Sequence, residues 1–286
     1  MSATLANNLR LLQGNAALLK SLCTLNRGIE RESLRVTPQG KLALTPHPES
    51  LGSTLCHPKI TTDYAEALLE LITPVHNSIG SCIEDLDDIH RFVYEELARQ
   101  HEMLWSSSMP CQLGKAEDIQ IAQYGTSNIA KMKMAYREGL AHRYGKAMQT
   151  ISGIHYNFSL SDKFWPAYQQ ALGNSDPINT FKTARYFGLI RNFRRWVPLL
   201  VYLFGASPAV CRSFLQGQQQ HQLTPFDEHS WHGEFATSLR MGDLGYQSNA
   251  QSALMVCYNS LPSYIATLKH GLTTSYPPYE QIGVCD

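Results

Sequence analysis

The period of the hydrophobic positions changes several times along the chain, and each period predicts an element. Over residues 5–25, Leu9, Leu12, Ala16, Leu19 and Leu22 fall on one side of a helix. Residues 29–36 alternate, which predicts a strand. Pro38-Gln39-Gly40 predicts a turn, and residues 41–45 the returning strand of a hairpin. Residues 46–58 form a loop rich in Pro, Gly, Ser and His, and residues 68–73 are apolar up to Pro74, as in a strand. Residues 83–98 predict a long helix with Ile83, Leu86, His90, Val93 and Leu97 inward and Glu84, Asp87, Glu95 and Glu96 outward. Beyond it the pattern predicts a helix over 131–144, a strand over 153–159, a basic helix over 180–197 and a last helix over 254–272. A glutamine-rich loop over 216–222 and a partly turn-like stretch over 237–246 lie between the last two helices. Strands scattered unevenly among helices, without βαβ spacing, predict an α+β fold with an antiparallel sheet.

Composition narrows the picture. Hydrophobic residues make up 43% and charged residues 17% of 286 residues, enough for a sizeable core. Lys plus Arg and Asp plus Glu are both 24, so the formal charge is zero and nothing points to nucleic acid or an anionic membrane as partner. The first 22 residues carry Asn7, Asn8, Arg10 and Gln13, unlike a signal peptide. The apolar run at 196–204 contains Pro198 and is far shorter than a membrane span. Seven cysteines without a CxxC pair suit reduced thiols, and together these features predict a cytoplasmic protein.

Four stretches could carry chemistry. On the strand RGIERES, Glu30 and Glu32 share a face with Leu34 and Val36. Two carboxylates there repel unless a cation intervenes, and carboxylate oxygens suit Mg²⁺. The plain alternative is two surface glutamates paired with Arg27, Arg31 or Arg35. In TTDYAEALLE, Glu66 and Glu70 share a face, and Glu70 interrupts an apolar run, which predicts burial beside a metal or an arginine. The alternative is a solvated edge of an amphipathic helix. The words QYGTSN, YREGL and QTISGIHYN supply polar groups able to orient a zwitterion in an apolar wall, His155 reading alone as a satisfied core histidine. In TSLR, Arg240 could grip a carboxylate or a phosphoryl oxygen with its fork, or form a surface salt bridge. No GxxxxGK[ST] loop, no GxGxxG after a strand, no HExxH and no GxSxG is present.

The words RGIERESLRV, HPESLGSTLCHPKITTDYAEALLELITPV, SMPC, AQYGTSN, YREGL with RYG and MQTISGIHYNFS, RNFRRW, YLFGASPAVCRSFLQG and ATSLRMGDLGY together resemble glutamate–cysteine ligases of the proteobacterial class. The likeness runs from about residue 25 to the last residue. It implies a curved antiparallel sheet with flanking helices, related to glutamine synthetase and the guanidino kinases, with residues 1–286 as the N-terminal part of one catalytic domain. It implies ATP as co-substrate, with L-glutamate and L-cysteine joined through a γ-glutamyl phosphate, the first step of glutathione synthesis. Mg²⁺, with Mn²⁺ as a substitute, would be held by Glu30, Glu32, Asp63 and Glu70. Tyr64, Tyr136, Leu140, Gln149, Arg240 and Tyr246 would form the cysteine pocket, with Arg240 as the catalytic arginine.

Two departures stand out. Phenylalanine is common in that family where this chain has Tyr64. Its members are also roughly twice this length, so the resemblance implies a chain incomplete at the C-terminus, lacking a further carboxylate and arginine. Two alternatives remain open at this point: a related, less specific carboxylate–amine ligase, and a non-catalytic fragment that binds an amino acid or a partner.

Overall fold

The computed structural model describes residues 3–110, 112–215, 222–242 and 254–282. In chain order these form α1 (Ala3–Gln13), α2 (Ala16–Leu22), β1 (Leu25–Val36), β2 (Ile60–Thr62), β3 (Leu68–Ile72), α3 (Ile79–Ala98), β4 (Met103–Leu104) and α4 (Asn128–Tyr144). There follow β5 (Ile154–Leu160), α5 (Phe164–Ala171), α6 (Ile178–Phe204), β6 (Ala209–Cys211), β7 (Thr224–Pro225), β8 (Ser230–His232), α7 (Leu261–Thr273) and α8 (Pro277–Ile282). The fold is α+β with antiparallel pairing throughout both sheets, as the sequence predicts.

The main sheet is organised around β1. One edge of β1 pairs with β3, and β2 lies beyond β3. The other edge takes β5 along residues 25–31 and β4 at residues 35–36. The alternation of β1 and β3 then sorts side chains between two cores. Leu69 and Leu71 face one side and pack with Ile89, Val93 and Leu97 of α3. Leu34, Val36 and Leu68 face the other and pack with Tyr64, Ile151, Phe214 and Leu239. A third core joins Leu18 of α2 to Phe164 and Trp165 of α5 and Phe181 of α6. Among the described residues no helix is long and apolar enough to cross a membrane.

Several boundaries depart from the pattern. The single helix over 5–25 is two helices, because Asn15 caps α2 by accepting the Leu18 N–H at 3.0 Å, and β1 already begins at Leu25. The return strand at 41–45 is reduced to a bridge between Val36 and Leu42. In α3 the buried stripe is Cys82, Ile89, Val93, Glu96 and Leu97. Ile83 is 43% exposed instead of inward, and Glu96 is buried instead of outward, bonded to Arg99. Pro198 does not stop α6, which continues to Phe204, whereas the last long helix starts only at Leu261. The loop at 216–221 and Tyr246 lie outside the described residues.

Candidate active site

The acidic face of the sheet follows from register. Glu32 of β1 sits directly opposite Glu70 of β3, and Thr61 of β2 lies beside Glu70. Leu34 is opposite Leu68, so the same face is apolar towards one end and acidic towards the other. On the far edge of β1, Glu30 is opposite His155 of β5. His155 Nδ1 lies 3.1 Å from Glu30 Oε2 and 3.8 Å from Glu32 Oε1, and Asn157 donates to Glu30 Oε1 at 2.8 Å. His155 is therefore half-exposed at a carboxylate pair rather than satisfied in a core. The polar alternation His155, Asn157, Ser159 was the signal that could have found it.

The arginines of β1 do not neutralise this pair. They point to the opposite face, where Arg31 donates to His90 of α3 at 3.2 Å and Arg35 bonds Glu102 at 2.8 Å. Glu66 also leaves the group. It lies in the turn before β3, buried, with Oε1 accepting the His47 N–H at 2.8 Å and Oε2 the Gln123 N–H at 2.7 Å. Glu66 and Glu70 thus share neither a strand face nor a helix edge.

Asp63 follows β2 and is fixed through its backbone. Its carbonyl accepts from Arg137 Nε at 2.6 Å and from the Tyr124 hydroxyl at 3.0 Å, while the Arg137 guanidinium lies over the Tyr124 ring at 4.7 Å. Arg137 comes from α4, whose N-cap Ser127 accepts the Ala130 N–H at 3.2 Å. Tyr136 and Leu140, four apart on that helix, present one face. A short 3₁₀ turn, Ala147–Thr150, brings up Gln149. Arg240 rides on another, Leu239–Met241, tied down by Leu239 N–H to the Ser207 carbonyl at 2.7 Å.

These pieces enclose one cavity of about 240 Å³, lined by Glu32, Asp63, Tyr64, Tyr136, Leu140, Gln149 and Arg240, together with Arg137, Met148 and Ile151. Pattern and resemblance assigned no role to the last three. Gly153 is what lets the acidic face and Arg240 meet. Its N–H donates to Glu32 Oε2 at 2.5 Å, and a Cβ there would stand 2.9 Å from Arg240 Nη2 and 3.1 Å from His155 Nε2.

Charge crowding shows in the titration of the cluster. Burial, then Asp63, Glu32 and Glu30, push the Glu70 carboxyl up to about 7. Burial and Asp63 raise Glu32, against the Gly153 N–H, His155 and Arg240. Burial raises Asp63, opposed first by Arg137. The donors are all hard carboxylate oxygens, with one imidazole at the edge. Among the described residues, however, no three His, Cys, Asp or Glu side chains are drawn together as a finished metal cage.

Comparison with known proteins gives a consistent answer. A family model described as glutamate-cysteine ligase matches residues 9–286. The glutamate–cysteine ligase of Alcanivorax borkumensis is 55% identical over 270 residues, covering 94% of this chain and 51% of the relative. That of Pseudomonas paraeruginosa is 56% identical over 283 residues, covering 99% and 53%. The crystal structure of glutamate–cysteine ligase from Francisella tularensis in complex with AMP superposes with a TM-score of 0.83 at 39% identity, covering 92% of this chain and 51% of that one. A bifunctional glutathione synthetase from Pasteurella multocida gives 0.78 at 31% identity, covering 93% and 33%. The chain spans about half the length of the curated relatives it matches.

Proposed function

This chain belongs to the glutamate–cysteine ligase family, and we propose that it supplies the cysteine pocket and part of the cation site of a cytoplasmic, ATP-dependent ligase. The reaction joins the side-chain carboxylate of L-glutamate to the amine of L-cysteine. ATP phosphorylates the carboxylate, leaving ADP. The amine then attacks the acyl carbon, the bond to the phosphoryl oxygen breaks, phosphate departs and the nitrogen loses a proton.

The observation that carries this reading is the convergence of Glu32, Asp63, Tyr64, Tyr136, Leu140, Gln149 and Arg240 on one small cavity from distant stretches of chain. Arg240 offers a fork for a carboxylate. Glu32 and Asp63 attract the ammonium group of the same amino acid. Leu140, Met148 and Ile151 exclude water around it.

The residues fit a hard divalent cation. Glu30, Glu32, Asp63 and Glu70 would hold Mg²⁺, or Mn²⁺ in its place, because they offer oxygen donors and repel one another without it. When bound there, the ion would offset the charge that gathers on the transferring phosphoryl group. In this chain Glu32 is held for that role by the Gly153 N–H, and Glu30 by Asn157 and His155.

The test is ADP release that requires both amino acids. The chain alone should form no γ-glutamylcysteine, because phosphoryl transfer depends on a complete, positioned cage. Supplied with the remainder of its relatives' length, it should turn over. Glu32→Gln should nearly abolish that turnover. Arg240→Ala should raise KM for cysteine about thirtyfold, roughly 2 kcal/mol, the scale of a hydrogen bond to a charged group. Supplemented turnover indifferent to both substitutions would sink the assignment.

A further inference from the structure

The main sheet has an open edge. β5 pairs with β1 along one side and, among the described residues, with no strand along the other. The Leu160 N–H points out from that edge to the Tyr186 hydroxyl at 3.2 Å. In an antiparallel ladder every second residue turns its N–H and C=O the same way, so those of Ile154, Tyr156 and Phe158 also point outward. The side chains of these three are 66%, 53% and 44% exposed, and the Tyr156 and Phe158 rings stack with centroids 6.4 Å apart. They lie on the face of the sheet opposite to Glu30 and His155.

Directly across the ladder from Phe158 is Arg27. It is 8% exposed, its Nε is buried without a hydrogen bond, and among the described residues no ion pair includes it. A guanidinium keeps its charge, so a nearly buried one without a counterion is costly. The open edge needs only another backbone, but the buried arginine also needs a carboxylate. A second copy of β5 would not bring one, because IHYNFSL contains no acid. This chain spans about half the length of its curated relatives, so in them a polypeptide of similar size accompanies the matching half.

We propose that the outer edge of β5 is a docking site for one extended segment from that other half. The segment adds a strand beside residues 154–158 and lays apolar side chains on Tyr156 and Phe158. Between them it carries an Asp or Glu that pairs with Arg27. The main-chain bonds supply affinity, and the carboxylate on Arg27 fixes the register, since a slip by one residue turns it to the wrong face. The proposal rests on family membership alone and not on the cation site or the cysteine pocket, which use the other face. Arg27→Met removes a buried, unpaired charge, so the thermal midpoint of the chain should hold or rise. Tyr156→Lys is a second variant at an exposed position, because lysine on an edge strand opposes pairing.

The experiment titrates the 286-residue chain into labelled, overlapping synthetic peptides that cover the unmatched half of the Pseudomonas paraeruginosa ligase, read by fluorescence anisotropy. Binding should be confined to peptides with an Asp or Glu between apolar residues. Changing that acid to its amide, or Arg27→Met in the chain, should each weaken binding roughly tenfold, the scale of a hydrogen bond to a charged group. Both changes together should cost little more than either alone. Tyr156→Lys should weaken binding too, and the bound peptide should protect the Tyr156 and Phe158 amides from hydrogen exchange. No binding by wild type, binding indifferent to both chain variants, or protection at another place overturns the proposal. So does a dimer of the chain alone with those two amides protected, which would put a second copy on this edge. None of these outcomes touches the ligase reading of the other face, whose failure would appear instead as turnover indifferent to Glu32→Gln and Arg240→Ala.

Discussion

Two polar clusters share β1, and they are built in opposite ways. Around Arg35 the charges are closed upon themselves. Its side chain is fully buried, bonded to Glu102 at 2.8 Å, to the Thr45 hydroxyl at 2.7 Å and to the Thr45 and Glu66 carbonyls at 2.7 and 3.2 Å. The Glu66 carboxylate nearby is occupied by the His47 and Gln123 N–H groups. Around Glu32 the charges are left in conflict. Glu32 faces Glu70 across the ladder, and burial first, then the Asp63, Glu32 and Glu30 carboxylates, push the Glu70 carboxyl up to about 7. A buried carboxylate whose bonds the chain itself completes is a structural part. One crowded among its own kind is costly to keep ionised, which marks a candidate functional site.

The largest effect should come from breaking the closed cluster. Glu102→Ala strands the Arg35 guanidinium without its ion partner in a fully buried position, and should cost about 3–5 kcal/mol of stability in urea denaturation. A loss under about 1 kcal/mol would mean that the two clusters do not differ as described.

The open cluster should respond with the opposite sign. Glu70 has its folded pKa raised from 4.5 to about 7. It therefore binds more protons folded than unfolded across that window, and its contribution to stability is full below 4.5 and lost as pH rises through about 7. Glu70→Gln removes the conflict. Discounting for the partial exposure of Glu70, the variant should be more stable than wild type by about 1 kcal/mol at pH 8 and equal to it at pH 4. Denaturation midpoints at the two pH values check this, and a variant destabilised at pH 8 would refute it.

Much of the contrast was legible in the sequence, and the limits of legibility are physical. The two-residue period of a strand put Glu30 and Glu32 on one face with Leu34 and Val36, whereas Glu70, expected from its apolar run to be buried beside a metal or an arginine, is only half-buried, facing Glu32. What failed was set by contacts distant in sequence. Periodicity alone put Glu66 with Glu70, but the turn before β3 sends it to His47 and Gln123. The arginines of β1 looked like partners for its glutamates, yet alternation sends them to α3 and Glu102. Arg137 and His155 gained their roles only when α4 and β5 were placed against Asp63 and Glu30. The break between α1 and α2 was a local signal, Gly14 followed by Asn15, that the leucine period overrode.

The central claim is that the conflicted carboxylates form a divalent-cation site. Mn²⁺ titrated into the isotopically labelled chain at pH 7.5 tests it most directly, because the bound ion broadens nearby amide resonances. The amides of Glu30, Glu32, Asp63, Glu70 and Gly153 should broaden first, and Glu32→Gln should abolish the selectivity. Earliest broadening at the acidic stretch Asp87-Asp88 of α3, or at no defined place, would contradict the claim.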